Sequence, residues 1–267
     1  IQDMQIEAAR DLQIIKSPGV IRTLFKLEKF IFNRADFVSS ISEGMVKKIQ
    51  EKAGKPVVLF PNWVDNSIFY PLPDKAALKQ AYGFAGTDKL VLYSGAIGEK
   101  QGLEAIIYAA RHFEKQPAVK FLICGSGPYK SKLEALAGSL GLTNVHFLPL
   151  QPFEKFNGFL NMADVHLVIQ KANASDLVMP SKLTTILAVG GLALITANAE
   201  SGLYELVKKY DMGLLVNAES QAALDAGLQQ ALTGDRQQQA RNGRAYAEQY
   251  LSVDTVMQAF SDTILKA

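Results

Sequence analysis

From residue 76 onward, short apolar runs alternate with amphipathic helical segments, and this alternation limits the fold more than any other feature of the sequence. The apolar runs read as buried strands and cover residues 90–94, 119–124, 145–148, 164–170, 192–196 and 213–216. Strands that alternate with helices of this length form right-handed β–α–β units around a parallel sheet. The sequence therefore predicts an α/β protein, with a Rossmann-like parallel sheet and flanking helices in residues 76–250.

The part of the chain before residue 76 has a different character, which indicates a second domain and a boundary. Residues 61–75 contain three prolines and little periodicity, as a loop or linker does. Residues 1–60 combine helix and strand patterns, namely a helix at 19–33, strands at 37–41 and 57–60, and a helix from Ser42 to Gly54. We predict a partial α/β domain in residues 1–60, a hinge in residues 61–75, and a C-terminal helix in residues 251–267 that crosses back to the first domain.

The helix predicted at residues 19–33 is amphipathic, and two interpretations of it remain open. Its apolar side chains share one face and its basic side chains flank that face; these are Val20, Leu24, Leu27 and Ile31, and Arg22, Lys26, Lys29 and Arg34. In the first interpretation, the apolar face packs on the domain of the helix itself. In the second, the helix lies on a membrane surface that contains anionic lipid.

Composition excludes several classes of protein. With 28 basic and 26 acidic residues, the net charge is +2, which favours neither nucleic acid nor a membrane surface as a partner. The single cysteine, Cys124, leaves no internal disulfide framework and fits a reducing compartment. No apolar run reaches the roughly 18–20 residues of a membrane span, and no signal peptide is visible. We therefore expect a cytoplasmic protein without a nucleic-acid partner.

Two glycine-containing loops follow predicted strands. The first loop, residues 94–102, contains three glycines that permit close approach of a ligand to the backbone. It also contains Lys100, a compact cation that suits phosphate. The second loop is Gly125-Ser126-Gly127. Each pattern alone is common in tight connections, but in combination with a third loop they indicate a ligand that carries phosphate.

The third loop, residues 174–182, opens into an apolar helix. Pro180 suits the start of a helix, Ser181 is placed to cap it, and Lys182 falls in its first turn. The free N–H groups and the positive dipole end at such a start attract phosphate. We expect all three loops to face one crevice outside the carboxyl ends of the strands, where open α/β sheets bind ligands. Asp176 is either a hydrogen-bond partner for a sugar hydroxyl or an ordinary turn residue.

Other familiar sites are absent from the sequence. No segment fits the P-loop pattern, and Lys130 stands where a dinucleotide fingerprint needs its third glycine, which argues against a simple dehydrogenase. His112 reads as a surface residue, whereas His146 and His166 lie in strands beside apolar residues and read as structural. No His, Cys and acid residues have the spacing of a metal site.

Five segments, in order and spacing, resemble the family 4 glycosyltransferases, whose two-domain fold is called GT-B. They are the end of the N-terminal domain at 34–42, the hinge at 61–71, the diphosphate loop at 93–102, a strand end at 123–128 and the donor site at 180–190. The Pro180-Ser-Lys-Leu-Thr184 and Pro149-Leu-Gln-Pro152 segments are similar to the WcaI-like subgroup of colanic acid and exopolysaccharide assembly. The resemblance covers nearly the whole chain.

The resemblance also implies how the chain is divided. Residues 1–60 would be the tail of an acceptor-side N-terminal domain, and residues 76–250 would be the C-terminal domain that binds the nucleotide-sugar donor. The chain also starts at Ile1, in the middle of what reads as structured sequence. We therefore expect a piece of a longer protein that lacks most of its N-terminal domain.

The resemblance implies a retaining transfer of a sugar from a GDP- or UDP-sugar donor to a glycan or lipid-linked acceptor. The reaction would take place at the cytoplasmic face of a membrane, with peripheral membrane contact through the N-terminal domain. No cofactor or metal would be needed, because lysines and a helix dipole take the place of the metal. The residues implied at the donor site are Gly95, Ala96, Gly98, Lys100, Gly125, Gly127, Phe147, Leu148, Leu150, Asp176, Pro180, Ser181, Lys182 and Thr185.

The family also implies roles for these residues. The two lysines would hold the diphosphate together with backbone N–H groups; these residues are Lys100, Lys182, Gly95, Gly98 and Ser181. Neutralising a departing diphosphate is electrostatic stabilisation of the transition state. Residues 147–150 would border the nucleobase.

The sequence departs from the family pattern at several positions. Ala96 stands where the family often has arginine, and Asp176 and Thr185 stand where it has paired glutamates, the second of which commonly binds the donor ribose. The family's histidine near the reacting sugar would fall near Gln2, so no catalytic base is assigned. We expect the chain to bind the donor nucleotide without transferring sugar by itself.

Two other classes remain as alternatives. The first is a non-catalytic nucleotide-binding or scaffold module derived from a glycosyltransferase, which Ala96 and Thr185 favour. The second is a GT-B-shaped epimerase of nucleotide sugars. Such an enzyme relies on carboxylates and histidines in its cleft, and this sequence offers few of them.

Overall fold

The first sixty residues form a small unit of helices around two parallel strands in the computed structural model, which describes residues 1–11, 15–171 and 180–265. Its elements are α1 (Gln5–Asp11), α2 (Pro18–Arg34), β1 (Ser39–Ser40), α3 (Glu43–Ala53) and β2 (Val58–Leu59). The strands pair in parallel, with Ser39 opposite Val58. A buried apolar cluster joins them to the helices through Met4, Phe32, Val38, Ile41, Met45, Ile49, Ala53 and Val57.

Both ends of α3 follow from local sequence chemistry. The hydroxyl oxygen of Ser42 accepts a hydrogen bond from the N–H of Met45 at 3.3 Å, which satisfies one of the free donors of the first turn. Gly54 ends the helix with a φ of 65°, a conformation that a residue without a Cβ atom adopts easily. The predicted start and stop of this helix are confirmed, whereas the two flanking strands are shorter than predicted.

α2 packs on α1 and α3, but through a different face from the apolar one that the sequence indicates, so both interpretations of this helix remain predictions. Phe32 is the buried residue of α2, because it lies on the side where α1 and α3 approach. On the same side, Glu28 pairs with Lys52 of α3 at 2.9 Å. About half of each large side chain on the other face is exposed; these are Val20, Leu27, Phe30 and Ile31.

Six parallel strands build the larger sheet, and their order reverses in the middle. They are β3 (Lys89–Ser94), β4 (Val119–Cys124), β5 (Val145–Leu148), β6 (Val165–Val168), β7 (Ala193–Thr196) and β8 (Leu214–Val216). Their order in space is β5-β4-β3-β6-β7-β8, and every neighbouring pair is parallel. The chain winds from β3 to one edge, returns to the centre at β6 and winds to the other edge, as in Rossmann folds. The predicted fold class is confirmed.

Helices cover both faces of this sheet, which explains why its strands read as unbroken apolar runs. They are α4 (Lys75–Ala81), α5 (Glu104–His112), α6 (Lys130–Ser139), α7 (Phe153–Asn161), α8 (Lys182–Ala188), α9 (Gly202–Tyr210), α10 (Gln221–Thr233) and α11 (Gln237–Tyr250), and a further helix, α12 (Val253–Phe260), follows α11. Successive side chains of a strand point to opposite faces. Along β3, Leu90 and Leu92 therefore enter one apolar core, and Val91 and Tyr93 enter the other.

The predicted linker is held to the end of the chain by backbone hydrogen bonds, and an aromatic contact joins the N-terminal unit to α12. The N–H of Val64 donates to the carbonyl of Leu251 at 2.8 Å, and the N–H of Val253 donates to the carbonyl of Val64 at 3.1 Å. The rings of Phe60 and Phe260 lie 4.7 Å apart, so α12 lies beside the N-terminal unit. The division of the chain into domains remains a prediction.

Arg244 of α11 connects the linker to α8. Its Nη1 atom donates to the carbonyl of Phe69 at 3.0 Å, to the Oδ1 atom of Asn66 at 3.2 Å and to the carbonyl of Ala188. Hydrogen bonds from a charged donor are stronger than neutral ones. The linker is thereby anchored to the helix that follows the third predicted loop.

Candidate functional site

The carboxyl ends of β3 and β6 mark the point where the strand order reverses, and open α/β sheets bind ligands in the crevice outside this point. Loop 1 (residues 95–102) leaves β3, loop 2 (residues 125–128) leaves the adjacent β4, and loop 3 (residues 169–181) leaves β6 and enters α8. Residues 172–179 of loop 3 lie outside the described chain. The topology therefore brings the three loops to one edge of the sheet.

Loop 1 lies directly on loop 2, and this contact accounts for both glycines of loop 2. The N–H of Ile97 donates to the carbonyl of Ser126 at 2.9 Å. A Cβ atom on Gly125 would overlap the carbonyl oxygen of Gly95, and a Cβ atom on Gly127 would overlap the carbonyl oxygen of Ile97. The two glycines of loop 2 thus admit the neighbouring backbone and fix the path of loop 1.

One predicted ligand contact is corrected by the same pairing of loops. The N–H of Gly95 donates to the carbonyl of Cys124 at 2.9 Å, so this group is already used inside the protein. The expectation that it binds the diphosphate is therefore wrong for the described structure. The N–H groups of Gly98 and Ser181 make no hydrogen bond to the described residues, and they remain available to a ligand.

Lys182 reaches back from α8 to loop 1 and joins two parts of the predicted phosphate site. Its Nζ atom lies 3.8 Å from the centre of the Tyr93 ring. A Cβ atom on Gly95 would lie 2.7 Å from the same Nζ atom, so the ammonium group rests against the backbone of loop 1. Tyr93 in turn donates its hydroxyl hydrogen to the carbonyl of Ala96 in this loop at 2.7 Å.

The ammonium group of Lys182 is buried, and in the described part of the chain no carboxylate balances its charge. Burial lowers its pKa to about 8, and no described carboxylate raises it again. The face of the Tyr93 ring attracts a cation and offsets part of the lost hydration. Near neutral pH the group still carries its proton, so the crevice presents a positive charge that a bound anion would satisfy.

The start of α8 differs in one detail from the sequence prediction. Pro180 is buried and Ser181 occupies the N-cap position, but the hydroxyl of Ser181 does not cap the helix, so that prediction is wrong. The hydroxyls of the next turn bond inward instead. Thr184 donates to the carbonyl of Ser181 at 2.8 Å, and Thr185 donates to the carbonyl of Lys182 at 3.0 Å. The exposed Ser181 side chain is therefore left at the mouth of the crevice.

A cavity of about 390 Å³ lies between the start of α8 and the first residues of the chain. Its polar lining comes from the N-terminal unit, the linker and α8, and includes Gln2, Ser40, Asn62, Ser181 and Thr184. Among the described side chains that line it there is no carboxylate, histidine, lysine or arginine. The described cavity thus offers hydrogen-bonding groups but no catalytic base.

The residues predicted to border a nucleobase lie at the end of β5 and just after it, and β5 is the strand beyond β4 as seen from the reversal point. Phe147 and Leu148 are half-buried, and Leu150 is 64% exposed. The Sγ atom of Cys124 donates to the carbonyl of Pro149 at 3.2 Å, which holds this segment against β4. An exposed leucine at the carboxyl edge of the sheet suits contact with the flat face of a base.

Some of the predicted site residues cannot be placed in full. Asp176 lies outside the described residues, and so does the side chain of Lys100, whose backbone lies in a 3₁₀ turn at Glu99–Gln101. Ala96 is exposed in loop 1, and Gly98 is half-buried. Their roles at the site remain predictions.

None of the three histidines belongs to the three loops, since His112 lies in α5, His146 in β5 and His166 inside β6. Burial lowers the pKa of His166 to about 3, and burial also lowers the pKa of His146, which packs edge-on against Phe84. His112 lies near Asp225 on the surface, with its Nδ1 atom 3.9 Å from the carboxylate. In residues 1–11, 15–171 and 180–265 there is no group of three or more potential metal ligands. In the same residues, no helix has both the length and the apolar character that crossing a bilayer requires.

Sequence reasoning placed Tyr93 at the start of the diphosphate loop but assigned no role to its side chain. The residue reads as one more apolar position of a buried strand, and it is indeed fully buried. The available signal was a tyrosine one residue before the glycine-containing loop, because a buried hydroxyl needs a nearby acceptor. Only the folded chain shows that the acceptor lies in loop 1 and that Lys182 lies over the ring.

The described fold resembles solved glycosyltransferase structures of the GT-B class. Anabaena HepE, in a crystal structure with UDP, has a TM-score of 0.80 and 19% identity over 92% of this chain and 68% of HepE. A sucrose-phosphate synthase from Thermosynechococcus elongatus has a TM-score of 0.79 and 19% identity over 98% of this chain and 65% of its own. These likenesses establish the class of fold.

The sequence identifies the family. Residues 74–249 match the group 1 glycosyl transferases, and the chain belongs to this family. It is 39% identical to WcaI of Escherichia coli (strain K12), whose name describes a colanic acid biosynthesis glycosyl transferase, over 99% of this chain and 66% of WcaI. It is 30% identical, over 51% of its length, to a GDP-mannose-dependent phosphatidylinositol monomannoside mannosyltransferase of Mycolicibacterium smegmatis. The resemblance inferred from sequence motifs is confirmed.

The chain spans only part of each of these relatives. It covers 66% of the length of WcaI and 36% of the length of the mycobacterial mannosyltransferase.

The packing of loop 1 on loop 2 predicts that Gly125→Ala destabilises the protein. The added methyl group would displace loop 1, and such overpacking costs about 1–3 kcal/mol in free energy of unfolding. Gly138→Ala is the matched control, because Gly138 lies in α6 with no atom within 4 Å of the new methyl group. The control should leave stability unchanged or raise it by up to about 1 kcal/mol. Urea denaturation measures the free energy of unfolding of both variants and of the wild-type protein. An equal free energy of unfolding for Gly125→Ala and the wild type would contradict the packing argument.

Proposed function

We propose that this chain carries the donor-binding part of a retaining glycosyltransferase, which moves a sugar from a nucleoside diphosphate to a glycan or lipid-linked acceptor. Membership of the group 1 family supports the reaction class. The observation that carries the proposal is the buried ammonium group of Lys182 beside loop 1, for which no described carboxylate is a partner. Such a group selects an anion, and it lies where α/β sheets bind their ligands.

The chemistry requires a positive site for the leaving group. When the bond between the anomeric carbon and the diphosphate oxygen breaks, negative charge develops on the diphosphate. Lys182 and Lys100 would neutralise this charge, with N–H groups of Gly98 and Ser181 as hydrogen-bond donors. Preorganised groups of this kind stabilise the transition state because they need no rearrangement during the reaction. The two lysines supply the charge that a divalent cation supplies elsewhere, so we propose a reaction without metal.

The remaining predicted residues would surround the nucleoside and the sugar. Phe147, Leu148 and Leu150 would border the base, with Gly125 and Gly127 supporting loop 1 beside it. Thr185 would approach the ribose with a hydroxyl whose oxygen is still free to accept, since its hydrogen is donated to the helix backbone. Asp176 would contact the sugar.

The relatives are associated with two different nucleotides. HepE was solved with UDP, whereas the mycobacterial relative is named for GDP-mannose. We propose that the donor is a GDP- or UDP-sugar. In the longer protein, the acceptor would enter from the N-terminal side, where the small cavity beside Gln2 adjoins Ser181.

We also propose that the protein works in the cytoplasm with peripheral contact to a membrane, through α2. Leu27, Phe30 and Ile31 are more than half exposed on this helix. Lys26 and Lys29 are exposed beside them. Apolar side chains flanked by lysine and arginine suit the surface of a bilayer that contains anionic lipid.

The donor site predicts that the chain binds one of GDP, UDP or ADP, and that Lys182→Ala weakens this binding about 10- to 100-fold, because a charged hydrogen bond is lost. Lys89→Ala is the control, since Lys89 is exposed at the opposite end of β3. Isothermal titration calorimetry gives the dissociation constants. Equal affinities of the Lys182→Ala and wild-type proteins would contradict the proposed site. Sugar transfer by this chain alone would contradict the expectation that it is inactive by itself.

The pKa of Lys182 predicts how binding depends on pH. Its ammonium group loses its proton as the pH rises through about 8, whereas an exposed lysine keeps its proton to about 10.5. Nucleotide affinity should therefore be constant below this pKa and fall by about tenfold per pH unit above it, until the higher pKa of the bound state is reached. Between about pH 8 and pH 10.5, Lys182 is protonated in the unfolded chain but has lost its proton in the folded protein. The free energy of unfolding of the nucleotide-free protein should therefore rise with pH over this range.

Lys182→Arg provides the control for this profile. Arginine keeps its proton over the whole range, so any binding that remains should not change as the pH passes 8. Calorimetric titrations at several pH values measure both proteins. If the affinity of the arginine variant falls in the same way, a group other than Lys182 causes the pH dependence.

The exposed face of α2 predicts binding to vesicles that contain about one third anionic lipid, and weak binding to neutral vesicles. Phe30→Asp should reduce the bound fraction, because it places a negative charge in the apolar face. Tyr108→Asp changes an aromatic residue of similar exposure on α5 and should have no effect. Cosedimentation measures the bound fraction, and equal loss in both variants would contradict a role for α2.

A further inference from the structure

Tyr93 occupies an unusual position for a core residue, because its ring and its hydroxyl contact two different parts of the donor site. The residue is fully buried near the end of β3. Its ring centre lies 3.8 Å from the Nζ atom of Lys182, and its hydroxyl donates to the carbonyl of Ala96 at 2.7 Å. One side chain thus connects the cation from α8 to the backbone of loop 1.

We propose that Tyr93 is a positioning residue for the diphosphate site: its ring holds the ammonium group of Lys182 against loop 1, and its hydroxyl holds loop 1 in place to meet it. This inference rests on the proposed donor site and adds to it a residue that does not itself contact the ligand. The site would then be assembled before the nucleotide arrives. Preorganisation of this kind increases affinity because less freedom is lost on binding.

The ring explains how Lys182 stays in place although none of the described carboxylates pairs with it. Lysine has a long, flexible side chain whose ammonium group is strongly hydrated. A lysine in a crevice could therefore turn towards solvent, where its charge is better solvated. The face of an aromatic ring carries partial negative charge and attracts a cation even when water is excluded. A carboxylate would attract Lys182 more strongly, but it would repel the diphosphate.

The hydroxyl argues against a purely apolar role for Tyr93. A phenylalanine would fill the same core space without a polar atom that must be satisfied. Burial raises the pKa of Tyr93, so the hydroxyl keeps its hydrogen and remains a donor to Ala96. Because the acceptor is a backbone carbonyl of loop 1, the hydrogen bond fixes this loop at Ala96. The ammonium group of Lys182 rests against the preceding residue, Gly95.

The two contacts can be separated by variants that conserve the shape of the ring. Tyr93→Phe removes the hydroxyl and keeps the cation–ring contact. Replacement of Tyr93 by tetrafluorophenylalanine keeps nearly the same shape but removes most of the negative charge from the ring face. Placing the same fluorinated residue at Phe113 is the matched control, because Phe113 is fully buried in the same apolar core. Urea denaturation establishes that all three proteins fold.

The first measurement uses the protein without nucleotide and follows the pKa of Lys182 by NMR of its labelled side chain. Tyr93→Phe should leave this pKa unchanged. The fluorinated ring at position 93 should lower it by about half a pH unit or more relative to Tyr93→Phe, because the charged form loses its attraction to the ring. The fluorinated ring at position 113 should not change it. An equal pKa in the two position-93 variants would overturn the proposal, whether or not any nucleotide binds.

The second measurement is calorimetric titration with GDP and UDP. Tyr93→Phe should weaken binding about three- to tenfold, as expected for one lost hydrogen bond, and the fluorinated ring should weaken it further. Unchanged affinity in both variants, with wild-type binding intact, would overturn the positioning role. Absence of binding to the wild-type protein would refute the proposed donor site instead, and the NMR titration would still decide whether Tyr93 holds Lys182.

Discussion

The pairing of β3 with β6 in the centre of the sheet is the constraint on which the candidate site depends. Because the chain winds in opposite directions from these two strands, the loops that follow them diverge and leave a crevice between them. The same pairing brings the start of α8 next to loop 1, although 80 residues of sequence separate Lys182 from Gly102. Because β3 and β6 are neighbours, the two segments that follow them lie side by side at the carboxyl edge of the sheet.

The charge of Lys182 carries the functional argument because its burial is unfavourable without a neighbouring anion. Desolvation lowers its pKa, which shows that the folded protein alone does not fully stabilise the charged form. The Tyr93 ring stabilises the ammonium group in part. A diphosphate would complete this stabilisation. In the proposed site, binding energy and the charge that stabilises the leaving group would thus come from the same group, as in other sites that are organised before the reaction.

The loops illustrate why residue type was easier to predict than residue role. The glycines of loops 1 and 2 were recognised as a phosphate-binding pattern, and they do lie at the predicted edge of the sheet. However, Gly125 and Gly127 admit the backbone of loop 1, and the N–H of Gly95 is used by Cys124. A glycine in such a loop indicates that other atoms approach the backbone closely, but the sequence does not show whether these atoms belong to a ligand or to another loop. Likewise, the apolar stripe of α2 was visible, but its exposure was not.

The sequence by itself determined the α/β class, the parallel sheet, the order of strands and helices, and the family. These follow from local periodicity, from helix start and stop residues such as Ser42 and Gly54, and from short motifs in a fixed order. Only the tertiary structure decided that Lys182 lies on Tyr93, that Gly95 has no free N–H group and that Phe32 rather than Ile31 of α2 is buried. Such facts depend on which distant segments meet, and that is set by strand order and packing of the whole chain, since no local pattern specifies the partner of a side chain.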